Sequence, residues 1–297
     1  MKVGCVTMTW GQFQKQNPEE WSPERVLREV KEAGFDAVAS APRGEQTPEE
    51  FLQYLSGFGL TAAPSYYGGE FWLPAEREAQ VERARKMART SRALGLTELF
   101  VSPGGWRYVS RANGKERNQL AGRVGLGDGL SDDEWRELAT TLNAIGAATQ
   151  EEGVLICIHN HAAQVIETRA ECDRLFQVVD PNLVFWGPDI GHLIYGGVDP
   201  VAFCRDYASQ IKALHLKDVV ASVREEAQAQ EWDYGTASAH GIWTELGQGC
   251  ADFPTIFGIL REAGYNGWVL SEIDQTQKPS ALQSARECRD FLRSQGI

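Results

Sequence analysis

The chain has 297 residues, 42% of them hydrophobic and 24% charged, enough apolar material for a sizeable core and too balanced for a disordered or fibrous chain. Its net charge of −12 disfavours a nucleic-acid partner, since phosphate backbones are held mostly by Lys and Arg. No run approaches the roughly 20 apolar residues of a membrane span. The six cysteines (Cys5, Cys157, Cys172, Cys204, Cys250, Cys288) include no CxxC pair, which speaks against a zinc ribbon or dithiol redox site and for reduced thiols.

The first residues, Met1-Lys2-Val3-Gly4-Cys5-Val6, enter a strand-like run without the basic and apolar pattern of a secretory leader, so a cytoplasmic location is expected. Short β-type runs then alternate with longer stretches of helical periodicity. Strands are expected at 3–8, 37–40, 61–65, 99–102, 154–158, 183–186, 211–216 and 268–271.

The helices between them carry recognisable starts. Ser22-Pro23-Glu24-Arg25 puts a capping residue before proline at the first helical position, with Val26, Leu27 and Val30 facing inward, and Gly34 closes that helix. Thr47-Pro48-Glu49-Glu50 and Ser131-Asp132-Asp133-Glu134 repeat the signal, and Asp252-Phe253-Pro254 gives a looser version before Ile256, Leu260 and Gly264. Eight strands with intervening helices in this length predict a single (β/α)8 TIM barrel domain over residues 1–297.

Two segments exceed the usual loop length, 103–130 after strand four and 219–251 after strand seven. In a barrel both would rise over the mouth, where they could exclude water from a reaction.

Chemistry collects at the ends of the later strands. The run Val154-Leu155-Ile156-Cys157-Ile158 ends in His159-Asn160-His161, and Leu183-Val184-Phe185-Trp186-Gly187-Pro188 ends in Asp189 with His192 three residues on. His215 and Lys217 end strand seven, and Glu272 ends strand eight. Strand C-termini deliver catalytic groups to the mouth of a parallel barrel, and an Asp, a Glu and several His form the N/O ligand set of a divalent transition metal. Four of the five histidines fall on this one rim.

These motifs, His-Asn-His, Asp-Ile-Gly-His, His-Leu-Lys-Asp, the Glu245–Pro254 run Glu-Leu-Gly-Gln-Gly-Cys-Ala-Asp-Phe-Pro and Glu272, resemble in order those of the xylose isomerase-like sugar isomerase/epimerase superfamily. The resemblance covers about 155–274, the first hundred residues matching only in βα rhythm. It implies one divalent metal at the mouth, with Asp189, His215 and Glu272 at the ligand positions of strands six, seven and eight. Many members carry a Glu at the end of strand five, where this chain has His159. Subgroups similar to inosose dehydratase share the His-x-His run and a Val-Glu or Val-Gln pair a few residues later, matched here by Ile166-Glu167. Either Glu167 swings back to complete the metal shell or His159 is itself a ligand.

A metal on a carbonyl oxygen acidifies the neighbouring C–H and holds the enediolate, and a neutral His near pH 7 is a suitable base. With Glu167 in the shell, His159 becomes that base, and His161 or Lys217 protonates the leaving oxygen, as in an inosose-type dehydratase. His192, Trp10 and Trp106 are expected to touch a sugar or cyclitol substrate. Manganese is the expected metal, with cobalt, zinc, iron or magnesium as alternatives. Relatives often pair through the barrel rim, so a homo-oligomer is compatible.

Other readings fit less well. A ketose 3-epimerase or isomerase lacks its strand-five Glu. A carbon-glycoside cleaving subunit shares the His-Asn-His run. An endonuclease IV-like enzyme needs more ligands from a first half that contains no His. A non-catalytic sugar-binding barrel has no physical reason to keep buried carboxylates together.

Overall fold

A computed structural model describes residues 1–297. Its strands are β1 (Lys2–Val6), β2 (Ala37–Ala39), β3 (Thr61–Ala63), β4 (Tyr66–Gly68), β5 (Glu98–Ser102), β6 (Leu155–Ile158), β7 (Val184–Trp186), β8 (Ala213–Leu216), β9 (Asp218–Val219), β10 (Trp243–Thr244) and β11 (Trp268–Ser271). Two parallel sheets, ordered β3-β2-β1-β11-β8 and β4-β5-β6-β7, make up the wall. They meet at one seam through parallel bridges pairing Trp186 with Ile211 and Asp189 with His215, the His215 N–H donating to the Pro188 carbonyl at 2.9 Å.

The other seam is a bend in one strand. The expected strand 61–65 divides at Pro64, so that β3 pairs with β2 while β4 pairs with β5. Proline supplies no N–H to a ladder, and the break lets one stretch of chain serve both sheets and close the barrel. Inside, space is tight: a Cβ on Gly4 of β1 would lie 2.7 Å from the Leu270 side chain and 2.9 Å from that of Ala63.

The helix starts behave as local chemistry dictates. Ser22 caps Pro23–Glu32 by accepting from the Arg25 N–H, and reciprocal capping boxes join Thr47 to Glu50 and Ser131 to Glu134. A third box, Thr168 with Glu171, opens the helix Arg169–Val178. The first strand also differs from expectation: the chain leaves β1 at Val6 and turns at once into a helix, Met8–Gln16.

Both long segments lie together over the mouth. The first contains only a short 3-10 turn, Arg117–Leu120, whereas the second folds into the helices Ala221–Ala229 and Tyr234–Ala239 and the antiparallel pair β9–β10. Lys115 reaches Glu231 at 3.1 Å, Arg123 donates to the Trp232 carbonyl at 2.7 Å, and Gln228 donates to the Gly122 carbonyl at 2.9 Å. They form one roof. All six cysteines are free and only Cys250 is exposed; no helix is long and apolar enough to cross a membrane.

Candidate metal centre and active site

The apolar run of β6 ends at Ile158, and the next three residues turn into the mouth. His159 is held by its own N–H on the Val101 carbonyl at 2.9 Å and is buried. Asn160 clamps the neighbouring strand end, accepting from the Asp189 N–H at 3.0 Å. Asp189 then caps the helix Ile190–Tyr195, its Oδ1 accepting from the His192 N–H at 2.9 Å. That leaves Asp189 Oδ2 facing the mouth.

His215 projects from β8, and its Nδ1 is hydrogen-bonded to Glu272, whose own N–H continues the ladder from β11 to the Leu216 carbonyl. A carboxylate behind an imidazole fixes the ring's orientation and raises its basicity as a ligand. His159 Nδ1, Asp189 Oδ2 and His215 Nε2 are all buried without a hydrogen-bond partner, and the three residues bring ligand atoms within 4.8 Å of one another. A buried polar atom without a hydrogen bond costs about 1–3 kcal/mol; the two imidazole nitrogens have none and Asp189 Oδ2 has only Lys217 at 3.5 Å, a combination that favours an occupant. Two imidazoles and a carboxylate suit a divalent transition metal.

Glu167 lies elsewhere, which corrects the expectation that it turns back to the metal. One carboxylate oxygen accepts from the Gly122 N–H at 2.6 Å and the other from the Ala163 N–H at 2.7 Å, with Arg117 3.8 Å away. Ala163 has a left-handed backbone, φ 72°, an uncommon conformation for a side-chain-bearing residue. Glu167 therefore staples the first long segment to the turn after β6. Arg117, itself buried, adds Glu171 at 2.7 Å and the Gln164 carbonyl to the same staple.

Trp10 is also displaced from its expected place on a sugar face. It is buried in the helix Met8–Gln16, with its indole N–H on Glu29 at 2.8 Å. It lines a cavity of about 370 Å³ with Trp21 and Tyr54, to which none of the histidines contributes. Trp106, by contrast, reaches the cluster, its ring 5.1 Å from that of His161.

His161 and His192 lie beside the converging atoms, their rings 3.6 Å apart and tilted by 32°. His161 Nδ1 faces the Ala162 carbonyl at 2.5 Å, so that nitrogen carries the proton and Nε2 keeps its lone pair. Burial, reinforced by Lys217, holds the His161 pKa down at about 4; the ring is neutral at pH 7. His192 is arranged the opposite way, with Lys217 donating to Nε2 at 2.9 Å and Nδ1 buried without a partner. Its proton therefore sits on Nδ1, and burial with the nearby His161 and Lys217 keeps it from gaining a second.

Lys217 is wholly buried. Burial works against its charge, but Asp189 at 3.5 Å, Asp274 at 2.6 Å and Glu272 at 3.7 Å outweigh it and hold the ammonium above its usual range. Glu272, despite its burial, is kept well below the usual carboxylate range by Lys217 and His215.

Two residues of this constellation have no signal in the sequence. Asp274 lies two positions beyond Glu272, and Tyr234 comes from the long segment, its hydroxyl donating to Asp274.

Residues 27–295 match the family model of the xylose isomerase-like TIM barrel. The chain belongs to this family. It is 33% identical over 258 residues to a protein named inosose dehydratase from Geobacillus kaustophilus (strain HTA426), covering 86% of this chain and 82% of that one. A second protein of that name, from Clostridium botulinum (strain Alaska E43 / Type E3), is 32% identical over 99% of this chain and 96% of its own length. Among solved structures, the IOLI protein with a binding zinc atom superposes with a TM-score of 0.69 over 99% of this chain and 98% of that one, at 13% identity. The expected family and the expected barrel both hold, and the relatives' names are those of enzymes.

Proposed function

We propose that this chain is a divalent-metal-dependent dehydratase acting on a keto-cyclitol of the inosose type. The observation that carries the reading is that His159, Asp189 and His215 bring ligand atoms within 4.8 Å of one another, with His159 Nδ1, Asp189 Oδ2 and His215 Nε2 buried without a hydrogen bond, in a chain a third identical to proteins named inosose dehydratase. His159, Asp189 and His215 would hold the ion, with Glu272 orienting His215; we expect manganese, with zinc, cobalt, iron or magnesium as alternatives. Bound there, a divalent ion supplies Lewis-acid polarisation of the substrate carbonyl, which acidifies the adjacent C–H.

The geometry favours a different division of labour from the one the sequence suggests. His159 becomes a ligand, and the base passes to His161, whose Nε2 is free and whose ring is neutral at pH 7. In this reading His161 Nε2 takes the α-proton and returns it to the β-hydroxyl, which departs as water, so that proton and leaving group balance on one imidazole. His192 Nδ1–H holds that leaving oxygen in place. Lys217, held charged by three carboxylates, fixes the His192 tautomer and is a poor acid.

An epimerase of this fold would need a second base on the opposite face of the reacting carbon. Glu272, the natural candidate, is engaged with His215, which favours elimination. A small polyol as partner and a cytoplasmic location accompany the proposal. Incubating the metal-loaded protein with a keto-inositol should give a product lighter by one water in mass spectrometry. An isomer of unchanged mass would replace dehydration with epimerisation.

A further inference from the structure

Tyr234 is the residue by which the roof grips the site. It opens the short helix Tyr234–Ala239, which Asp233 caps through the Thr236 N–H at 2.7 Å. Its ring lies 5.4 Å from His161 and 6.0 Å from His192, tilted by 36° and 31° from their planes. Trp106, from the other long segment, meets it edge-on at 4.8 Å and 89°. The Tyr234 hydroxyl donates to Asp274 Oδ2, while Asp274 Oδ1 takes Lys217 at 2.6 Å. Asp274 thus stands outside the three converging ligand atoms, with one oxygen committed to the core and the other to the roof.

His159, Asp189 and His192 are buried and Tyr234 packs against the His161 and His192 rings, so a ligand entering beside those rings would displace the phenol hydroxyl from Asp274. A carboxylate oxygen then faces the site beside a flat aromatic wall. A ring polyol offers the matching chemistry: hydroxyls round its edge for a charge-assisted hydrogen bond and C–H bonds on its faces for an aromatic ring. An open-chain ketose has no such face.

We propose that Tyr234 and Asp274 form a specificity-determining pair for a cyclic polyol, with Tyr234 packing on its C–H face and Asp274 accepting from a ring hydroxyl where the phenol hydroxyl now sits. This rests on the dehydratase reading above and adds to it what selects the substrate.

The test compares the wild type with Tyr234→Ala, Tyr234→Phe and Asp274→Asn. Two quantities are read: the ratio of kcat/KM for a keto-inositol to that for a ketohexose, and calorimetric affinity for myo-inositol. Tyr234→Ala should lower the ratio about tenfold, mainly through KM for the ring substrate, and weaken myo-inositol to a similar degree. Tyr234→Phe keeps the wall and should hold both within about twofold. Asp274→Asn should weaken myo-inositol while metal content stays unchanged.

A wild-type ratio and wild-type affinity retained in Tyr234→Ala would overturn the pair while leaving the dehydratase reading intact. A wild type that turns over neither substrate, yet binds myo-inositol about tenfold better than Tyr234→Ala, would remove the dehydratase reading and keep the pair.

Discussion

Lys217 donates from Nζ to His192 Nε2 across 2.9 Å, with both side chains buried. A buried cation facing Asp189, Asp274 and Glu272 decides which nitrogen of a neighbouring imidazole carries the proton, and so turns His192 into a donor aimed at the site. In the proposed mechanism Lys217 therefore organises the site, in place of the proton donor that its position after strand seven suggests.

Replacing Lys217 with Met tests this arrangement. Asp189, Asp274 and Glu272 would be left without their cation, and breaking a buried pair in this way costs about 3–5 kcal/mol. Denaturant unfolding of metal-free protein should show a loss of that size. An unchanged midpoint would mean that these carboxylates are not ionised together around Lys217.

Glu167→Gln separates a staple from a ligand. The amide oxygen can still take one of the two N–H groups from Gly122 and Ala163, but the other loses its acceptor; burial already raises the Glu167 carboxyl pKa to about 7, so near neutral pH only part of a charge beside Arg117 is lost. Stability should fall by about 1–3 kcal/mol while metal content, read by elemental analysis, stays at the wild-type level. Loss of metal would restore Glu167 to the coordination shell.

His159→Ala and His161→Ala should split in the same assay. The first should lose stoichiometric metal. The second should retain it and lose turnover by roughly 10²–10⁴-fold, the usual contribution of a positioned acid–base group. Metal retained in His159→Ala would return that residue to the role of base.

Acid sensitivity is expected at Glu134, which anchors the first long segment to the helix Asp132–Glu151. Burial raises its pKa, but hydrogen bonds from Arg111, Ser131 and Tyr108 outweigh this and bring it down to about 2. A carboxylate lowered on folding adds stability above its unfolded pKa, near 4.5, and loses it as pH falls towards 2. Unfolding midpoints from pH 5 to 2.5 should therefore fall less steeply in Glu134→Gln than in the wild type. Parallel curves would show that this carboxylate has no such part.

What was legible in the sequence follows from range. Capping boxes such as Ser131 with Glu134 lie within three residues, and the apolar runs ending in His159, Asp189, His215 and Glu272 each announce a strand and what it carries, so the barrel and the rim residues could be read directly. The bend at Pro64 was hidden because one apolar stretch serves two sheets. The place of Glu167 depends on Gly122, 45 residues away, and the contact of Tyr234 with Asp274 spans 40; no local pattern encodes either. Trp10 looked like a rim residue only because strand one was expected to run to Met8.

Deuterium exchange puts the metal and His161 to the test together. Protein stripped of metal and then reconstituted is incubated in D2O with a keto-inositol, and label is sought at the carbon next to the carbonyl. Exchange should depend on one divalent ion per chain and disappear in His161→Ala with the ion still bound. Exchange that survives complete metal removal, or that His161→Ala leaves untouched, would contradict the proposed mechanism.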